Sequence, residues 1–248
     1  MIWQTISKYA SPKHFYRLSA TWVPVCGWLA ACLFIIGLIW GLVYAPADYQ
    51  QGDGFRIIYV HVPSAWMSLF IYVVMAACGA VGLIWKTKVS DSLARACAPV
   101  GASFTFLTLI TGSLWGKPMW GTWWTWDPRL TSELVLLFLY LGYIALQSAI
   151  AERRMAAQAG AILALAGVVN IPIIHYSVVW WSSLHQGPSV SKFAAPSIHT
   201  DMLIPLLLMA SACMFYFAAL LLLRARCELL ENECNHAWVS ELLSGRGR

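Results

Sequence analysis

Nothing constrains the fold of this chain more than six stretches of about 20 residues that carry almost no charge. Inside a bilayer every backbone N–H and C=O must be satisfied by the chain itself, so only helices or closed β-barrels span it. A barrel would show alternating runs of about 10 residues, and the sequence has no such pattern. The runs are about Thr21–Tyr44, Val62–Trp85, Ala96–Leu114, Leu130–Ile150, Gly160–Trp181 and Met202–Leu223. At 1.5 Å per residue each can cross about 30 Å of hydrocarbon. Composition agrees: 11% of the residues are charged, where a soluble domain has roughly 25%. The expectation is an all-α integral membrane protein, one domain of six transmembrane helices with a tail at 224–248. Lys8, Lys13 and Arg17 before the first run and Ala45-Pro46-Ala47 after it imitate a secretory signal. Its apolar run is too long for one, so it is expected to stay as an anchor.

The basic residues orient the bundle. Lys8, Lys13, Arg17, Lys86, Lys88, Arg95, Arg153, Arg154, Arg224, Arg226, Arg246 and Arg248 fall on one side, and Arg56, Lys117, Arg129 and Lys192 on the other. By the positive-inside rule both termini are then cytoplasmic. The outward loops become about Ala45–His61, Trp115–Arg129 and Ser182–Asp201. None holds a cysteine, and Cys26, Cys32, Cys78, Cys97 and Cys213 read as small hydrophobes within spans. The chain has no C-x-x-C-H for covalent c-type haem, no Walker A loop for ATP, no H-E-x-x-H and no G-x-S-x-G. The net charge of +5 is spent on orientation and points to no nucleic acid.

The outward stretch from Trp115 to Arg129 holds five Trp in fifteen residues: Trp115, Trp120, Trp123, Trp124 and Trp126. An interfacial aromatic belt is one explanation. The other is a platform for a flat, largely apolar ligand with charged edges. If the segment were helical, the i, i+3, i+4 spacing of Trp120, Trp123 and Trp124 would set three indoles on one face. Gly121 and Pro118 argue for a short helix or turn. Asp127 and Arg129 form an ion pair or cap the fourth span, or Arg129, with Arg56 or Lys117, holds ligand carboxylates.

His61 precedes Val62-Pro63 at the head of the second span. The helix dipole there disfavours imidazolium and leaves a lone pair for a metal. His185 lies just past the fifth span beside Trp180-Trp181. Two neutral imidazoles above a Trp platform are the arrangement for axial ligation of haem iron; each alone, without further context, is more often a cap or interfacial hydrogen bonder. His175 and Asn170 flank Pro172 and are expected to satisfy a proline kink. His199 is a weaker ligand candidate.

The run W-G-K-P-M-W-G-T-W-W-T-W-D-P-R-L-T-S-E from Trp115 to Glu133 resembles the tryptophan-rich "WWD" signature of haem-handling membrane proteins. Together with A-P-A-D-Y-Q-Q-G at 45–52, R-I-I-Y-V-H-V-P at 56–63 and I-I-H-Y-S-V-V-W-W at 173–181, the chain is similar over nearly its whole length to the cytochrome c maturation protein C, or haem exporter protein C, family. The resemblance implies non-covalent haem b at the periplasmic face of a bacterial inner membrane, with His61 and His185 as axial ligands. It implies haem contacts from Trp120, Trp123, Trp124, Trp126 and Asp127. Its implied partners are a periplasmic haem chaperone, the system's ABC-type ATPase and membrane subunits, and a small single-span subunit. A membrane enzyme using Asp127 as acid or base on a lipid-linked substrate is the competing class. A haem permease subunit is a third.

Overall fold

The computed structural model describes residues 11–244 apart from Pro188, Ser191 and Phe193. Lys8, Arg246 and Arg248 of the basic set therefore lie outside the described residues. The described chain is helical, and six helical segments are long and apolar enough to cross a membrane: Pro12–Tyr44, Asp53–Trp85, Lys88–Trp120, Pro128–Ala149, Arg153–Trp180 and Thr200–Asn232. It is a six-span, all-α membrane protein.

In chain order, α1 is Pro12–Ile39, closed by a π-turn at Trp40–Tyr44. A 3-10 turn at Asp53–Ile57 leads into α2, Ile58–Trp85, and α3 is Lys88–Trp120. Then come α4 (Pro128–Ala149), α5 (Arg153–Gly167), α6 (Asn170–Trp180), α7 (Thr200–Asn232) and the short α8 (Ala237–Leu243). The spans exceed their apolar runs because hydropathy marks only the part in hydrocarbon, whereas the hydrogen-bonded ladder continues into polar flanks.

α1 lies along α7 and α2 along α3, with α4, α5 and α6 closing the other side. The central core joins Ile71, Tyr72 and Met75 of α2, Cys97 and Phe104 of α3, and Leu136, Tyr140 and Tyr143 of α4, with Ile174 and Phe217. Small residues let backbones approach where lipid supplies no hydrophobic drive between helices. α3 offers Ala94, Ala96, Ala98, Gly101 and Ala102 on its buried side. Tyr140 reaches across it, and its hydroxyl donates to the Ser68 carbonyl at 2.8 Å.

One end of the bundle is laced by ions. Lys88 pairs with Glu233 at 2.6 Å, Arg95 with Glu228 at 3.5 Å and Arg154 with Asp91 at 3.0 Å. Arg226 donates to the Tyr16 carbonyl and covers the Tyr16 ring at 3.8 Å. The first nine tail residues thus extend α7 and tie it to α1, α3 and α5. The turns 45–52 and 121–127 and the described residues between α6 and α7 gather at the opposite end, around one cavity.

Two local expectations change. The fifth span breaks at Val168–Val169, between α5 and α6, and Pro172 sits in the first turn of α6. There its missing N–H opens no hydrogen bond. Asn170 accordingly satisfies no kink of its own; its Nδ2 donates to the Ser132 carbonyl on α4 at 2.9 Å. The third span, expected to stop at Leu114, runs through Gly116 and Pro118 to Trp120 and ends at Gly121, whose φ of 77° is left-handed. Pro118 near a helix end removes a single ladder bond, so it does not stop the helix. Trp115 and Trp120 therefore stand on α3, whereas Trp123 and Trp124 lie past its end, and the three-indole helical face does not form.

Candidate functional site

His61 lies one turn into α2, facing α3. Its Nδ1 is 3.0 Å from the Thr111 hydroxyl, and its ring meets the Trp115 indole edge-on at 5.6 Å. Trp115 in turn donates its Nε1–H to Gln51 Oε1 at 2.8 Å, which pins the turn between α1 and α2 to α3. Thr111 and Trp115 are four residues apart, so they share a helix face; that spacing is the signal by which the sequence could have paired Thr111 with the site.

His185 arrives from the irregular segment between α6 and α7. Its ring packs on Trp120 with centroids 4.8 Å apart. Asp127 holds the segment in place. One carboxylate oxygen caps α4 by accepting the Arg129 N–H at 2.8 Å, and the other accepts the Leu184 N–H at 3.1 Å. The His185 Nδ1 stands 3.4 Å from Asp127 Oδ1. That is close enough for attraction, but it is not aligned as a hydrogen bond, and this buried nitrogen has no partner among the described residues.

The two imidazoles, Trp115, Trp120 and Arg129 line one cavity, with Gln51, Trp66, Met119 and His175 on its walls. His61, His185 and Arg129 are within electrostatic reach of one another. The cavity measures about 190 Å³, less than the roughly 300–1,000 Å³ of an enclosing small-molecule pocket. A porphyrin seated here would keep an edge outside. Burial, with Arg129 beside it and Asp127 opposing, pushes the His185 imidazole down to about 4. Burial disfavours the ionised Asp127, but hydrogen bonds from Ser183 and from the Arg129 and Leu184 backbone, with the His185 charge, hold its carboxyl below the usual value. At neutral pH the site presents a neutral His185, an anionic strut outside the cavity and a guanidinium inside it.

The other residues singled out from sequence fall elsewhere. Trp123 and Trp126 are exposed at 55% and 77%, outside the cavity wall. Lys117 Nζ covers the Trp123 ring at 5.8 Å. Trp124 packs edge-on against Trp126 at 5.6 Å, its Nε1 buried without a partner among the described residues. Arg56 is engaged with Asp53 at 2.9 Å and with the Gly41 carbonyl, and does not line the cavity. His199 caps α7, accepting from the Asp201 N–H at 3.3 Å. His175, read from sequence as a structural residue, is on the cavity wall.

The sequence profile described as heme exporter protein C matches residues 5–240. The chain is 49% identical to heme exporter protein C of Escherichia coli (strain K12), with 100% of both chains covered. It is 48% identical to that of Haemophilus influenzae over 97% of this chain and 98% of the relative. The chain belongs to the heme exporter protein C family. More distant members of the set are the Bradyrhizobium diazoefficiens heme exporter protein C, 47% identical over 91% of this chain, and a Marchantia polymorpha mitochondrial protein, 43% identical over 85%, whose name places it in cytochrome c biosynthesis. Family membership and six spans make this a multi-pass membrane protein of the haem-handling class.

The residues present fit a haem. Two rings on opposite elements face one cavity. The Nδ1 of His61 is engaged by Thr111, leaving the other ring nitrogen for the cavity. An indole lies against each imidazole, and one cation suits a propionate.

Proposed function

We propose that the protein binds haem b non-covalently at the outward face of the inner membrane and presents it to a periplasmic haem chaperone during cytochrome c maturation. The observation that carries this reading is His61 and His185 on the walls of one cavity, each backed by a Trp of the motif. His61 and His185 are the axial ligands. Trp115 and Trp120 form the inner floor, and Trp123, Trp124 and Trp126, next in the chain, extend the apolar surface outward. Arg129 receives a propionate in the cavity; Arg56 is the candidate for the second, once it leaves Asp53.

The chain's own groups supply capture and release. Indoles give apolar area with little directionality, and imidazoles give selectivity for iron. When bound, haem contributes an iron that accepts two nitrogen donors. A cavity smaller than the ligand leaves an edge for a partner to grip. Asp127 spends its lone pairs on two backbone N–H groups outside the cavity, so it acts here as a strut. The ABC-type ATPase and membrane subunits and a small single-span subunit are the proposed companions, as the word exporter in the relatives' names fits.

Purified protein supplied with haem should show a low-spin, six-coordinate spectrum. His61→Ala or His185→Ala should convert it to high spin, and added imidazole should restore it. Arg129→Ala should lower haem retention with the axial spectrum intact. Unchanged spectra in both histidine variants would sink the axial assignment.

A further inference from the structure

The Thr111 hydroxyl faces three neighbours at bonding distance. It lies 2.7 Å from the Leu107 carbonyl, 3.3 Å from the Thr108 carbonyl and 3.0 Å from His61 Nδ1. A carbonyl oxygen can only accept, and two oxygens at 2.7 Å repel unless a proton lies between them. The single hydroxyl proton is therefore committed to the helix backbone, chiefly to the Leu107 carbonyl one turn back and secondarily to that of Thr108. What Thr111 offers His61 is a lone pair, and Nδ1 must be the nitrogen that carries hydrogen. We infer that Thr111 is a positioning residue for His61: it fixes the Nδ1–H tautomer and aims an unprotonated Nε2 into the cavity. This rests on the haem reading above and names the device that prepares its first ligand.

The surroundings hold the ring in that pose. A Cβ on Gly112 would stand 3.1 Å from His61 Cε1, so the glycine next to Thr111 leaves the imidazole its space. Trp115, one turn on, blocks the ring edge at 5.6 Å. Hydrogen bonds to the far nitrogen of a ligating imidazole set its tautomer and raise its basicity, and losing one lowers metal affinity about 10–100-fold. His185 has a carboxylate near its Nδ1 where His61 has a hydroxyl. The two proposed ligands thus differ in surroundings: His61 Nδ1 has a hydrogen-bond acceptor, whereas the carboxylate near His185 Nδ1 is not aligned with it.

The test uses the full-length protein reconstituted with ferric haem. Thr111→Val keeps the branched shape and removes the acceptor; Thr111→Ala serves where valine disturbs packing, and intrinsic Trp fluorescence checks the fold. Both should lose about 10–100-fold in haem retention. Any haem retained should have a reduction potential more positive than wild type, because a less basic imidazole supports ferric iron less well. Thr111→Ser should restore both. Wild-type retention and potential in the valine and alanine variants would overturn the inference, as would a serine variant as impaired as valine. In either case wild type remains six-coordinate and the haem reading stands. If wild type itself takes up no haem, the haem reading fails.

Discussion

Asp127 is the residue on which the segments after α3 and after α6 both depend. Its carboxylate caps α4 and holds the Leu184 N–H, so one side chain ends the Trp segment and fixes the approach of His185. Loss of an N-cap costs about 0.5–2 kcal/mol; here the cost includes an unfastened Leu184–His185 segment. The motif's D-P-R ending made the cap legible, because Asp before Pro at the first helical position is a helix-start signal. Its hold on Leu184, 57 residues away, had no trace in local pattern. His185 carries a pH consequence. Its folded value of about 4 lies below the unfolded 6.5, so its contribution to holding the loop is complete above about pH 6.5. Acidification lets the released imidazole take a proton that the buried one refuses, so the contribution is lost as pH falls toward 4. The difference bounds the effect at about 3 kcal/mol. Proteolysis of the loop between α6 and α7 should therefore accelerate between pH 6.5 and 4 in the haem-free protein. His185→Gln should lack that acceleration. Equal acid sensitivity in both proteins would assign it to another group.

At the scale of elements, hydropathy placed six spans correctly and their ends poorly. A helix ends where its ladder ends, and Lys, Arg and Glu are good helix formers that carry α3 and α7 past the apolar run. The i, i+3, i+4 pattern of Trp120, Trp123 and Trp124 looked helical because spacing alone does not reveal that Gly121 turns the chain left-handed. What sequence did not show is how tightly α3 and α4 approach. At Gly101 an added Cβ would lie 2.1 Å from the Tyr140 ring. Tyr140 is wholly buried and holds the Ser68 carbonyl of α2. Gly101→Ala must displace this ring, and overpacking of that kind costs about 1–3 kcal/mol. The variant should melt several degrees lower in detergent, since about 1 kcal/mol shifts a chain of this size by roughly 2–4 °C. A double variant with Tyr140→Phe should not recover the loss, because the ring carbons at 2.1 and 2.3 Å remain and the hydrogen bond to Ser68 goes with the hydroxyl. A melting point unchanged in Gly101→Ala would show that the helices part freely.

For the whole molecule, the separation of its two ends is the functional statement. The end with α8 is stitched by Lys13–Glu241, Lys88–Glu233, Arg95–Glu228 and Arg153–Glu231. These pairs use four of the twelve basic residues on that side, and no cavity with paired histidines lies there among the described residues. The other end carries the cavity, the exposed indoles and few cations. Lys and Arg resist translocation because moving them across hydrocarbon is costly, so the ion-laced end should face the cytoplasm and the cavity the periplasm. A single-cysteine experiment decides it. Gln186 is exposed beside His185, and Cys234 is exposed at the opposite end. In a background free of the other cysteines, Gln186→Cys should react with a membrane-impermeant maleimide on intact cells, while Cys234 should react only after lysis. The reverse pattern would place the cavity on the cytoplasmic side. A periplasmic chaperone could not then be the receiver, even with both histidines on the iron.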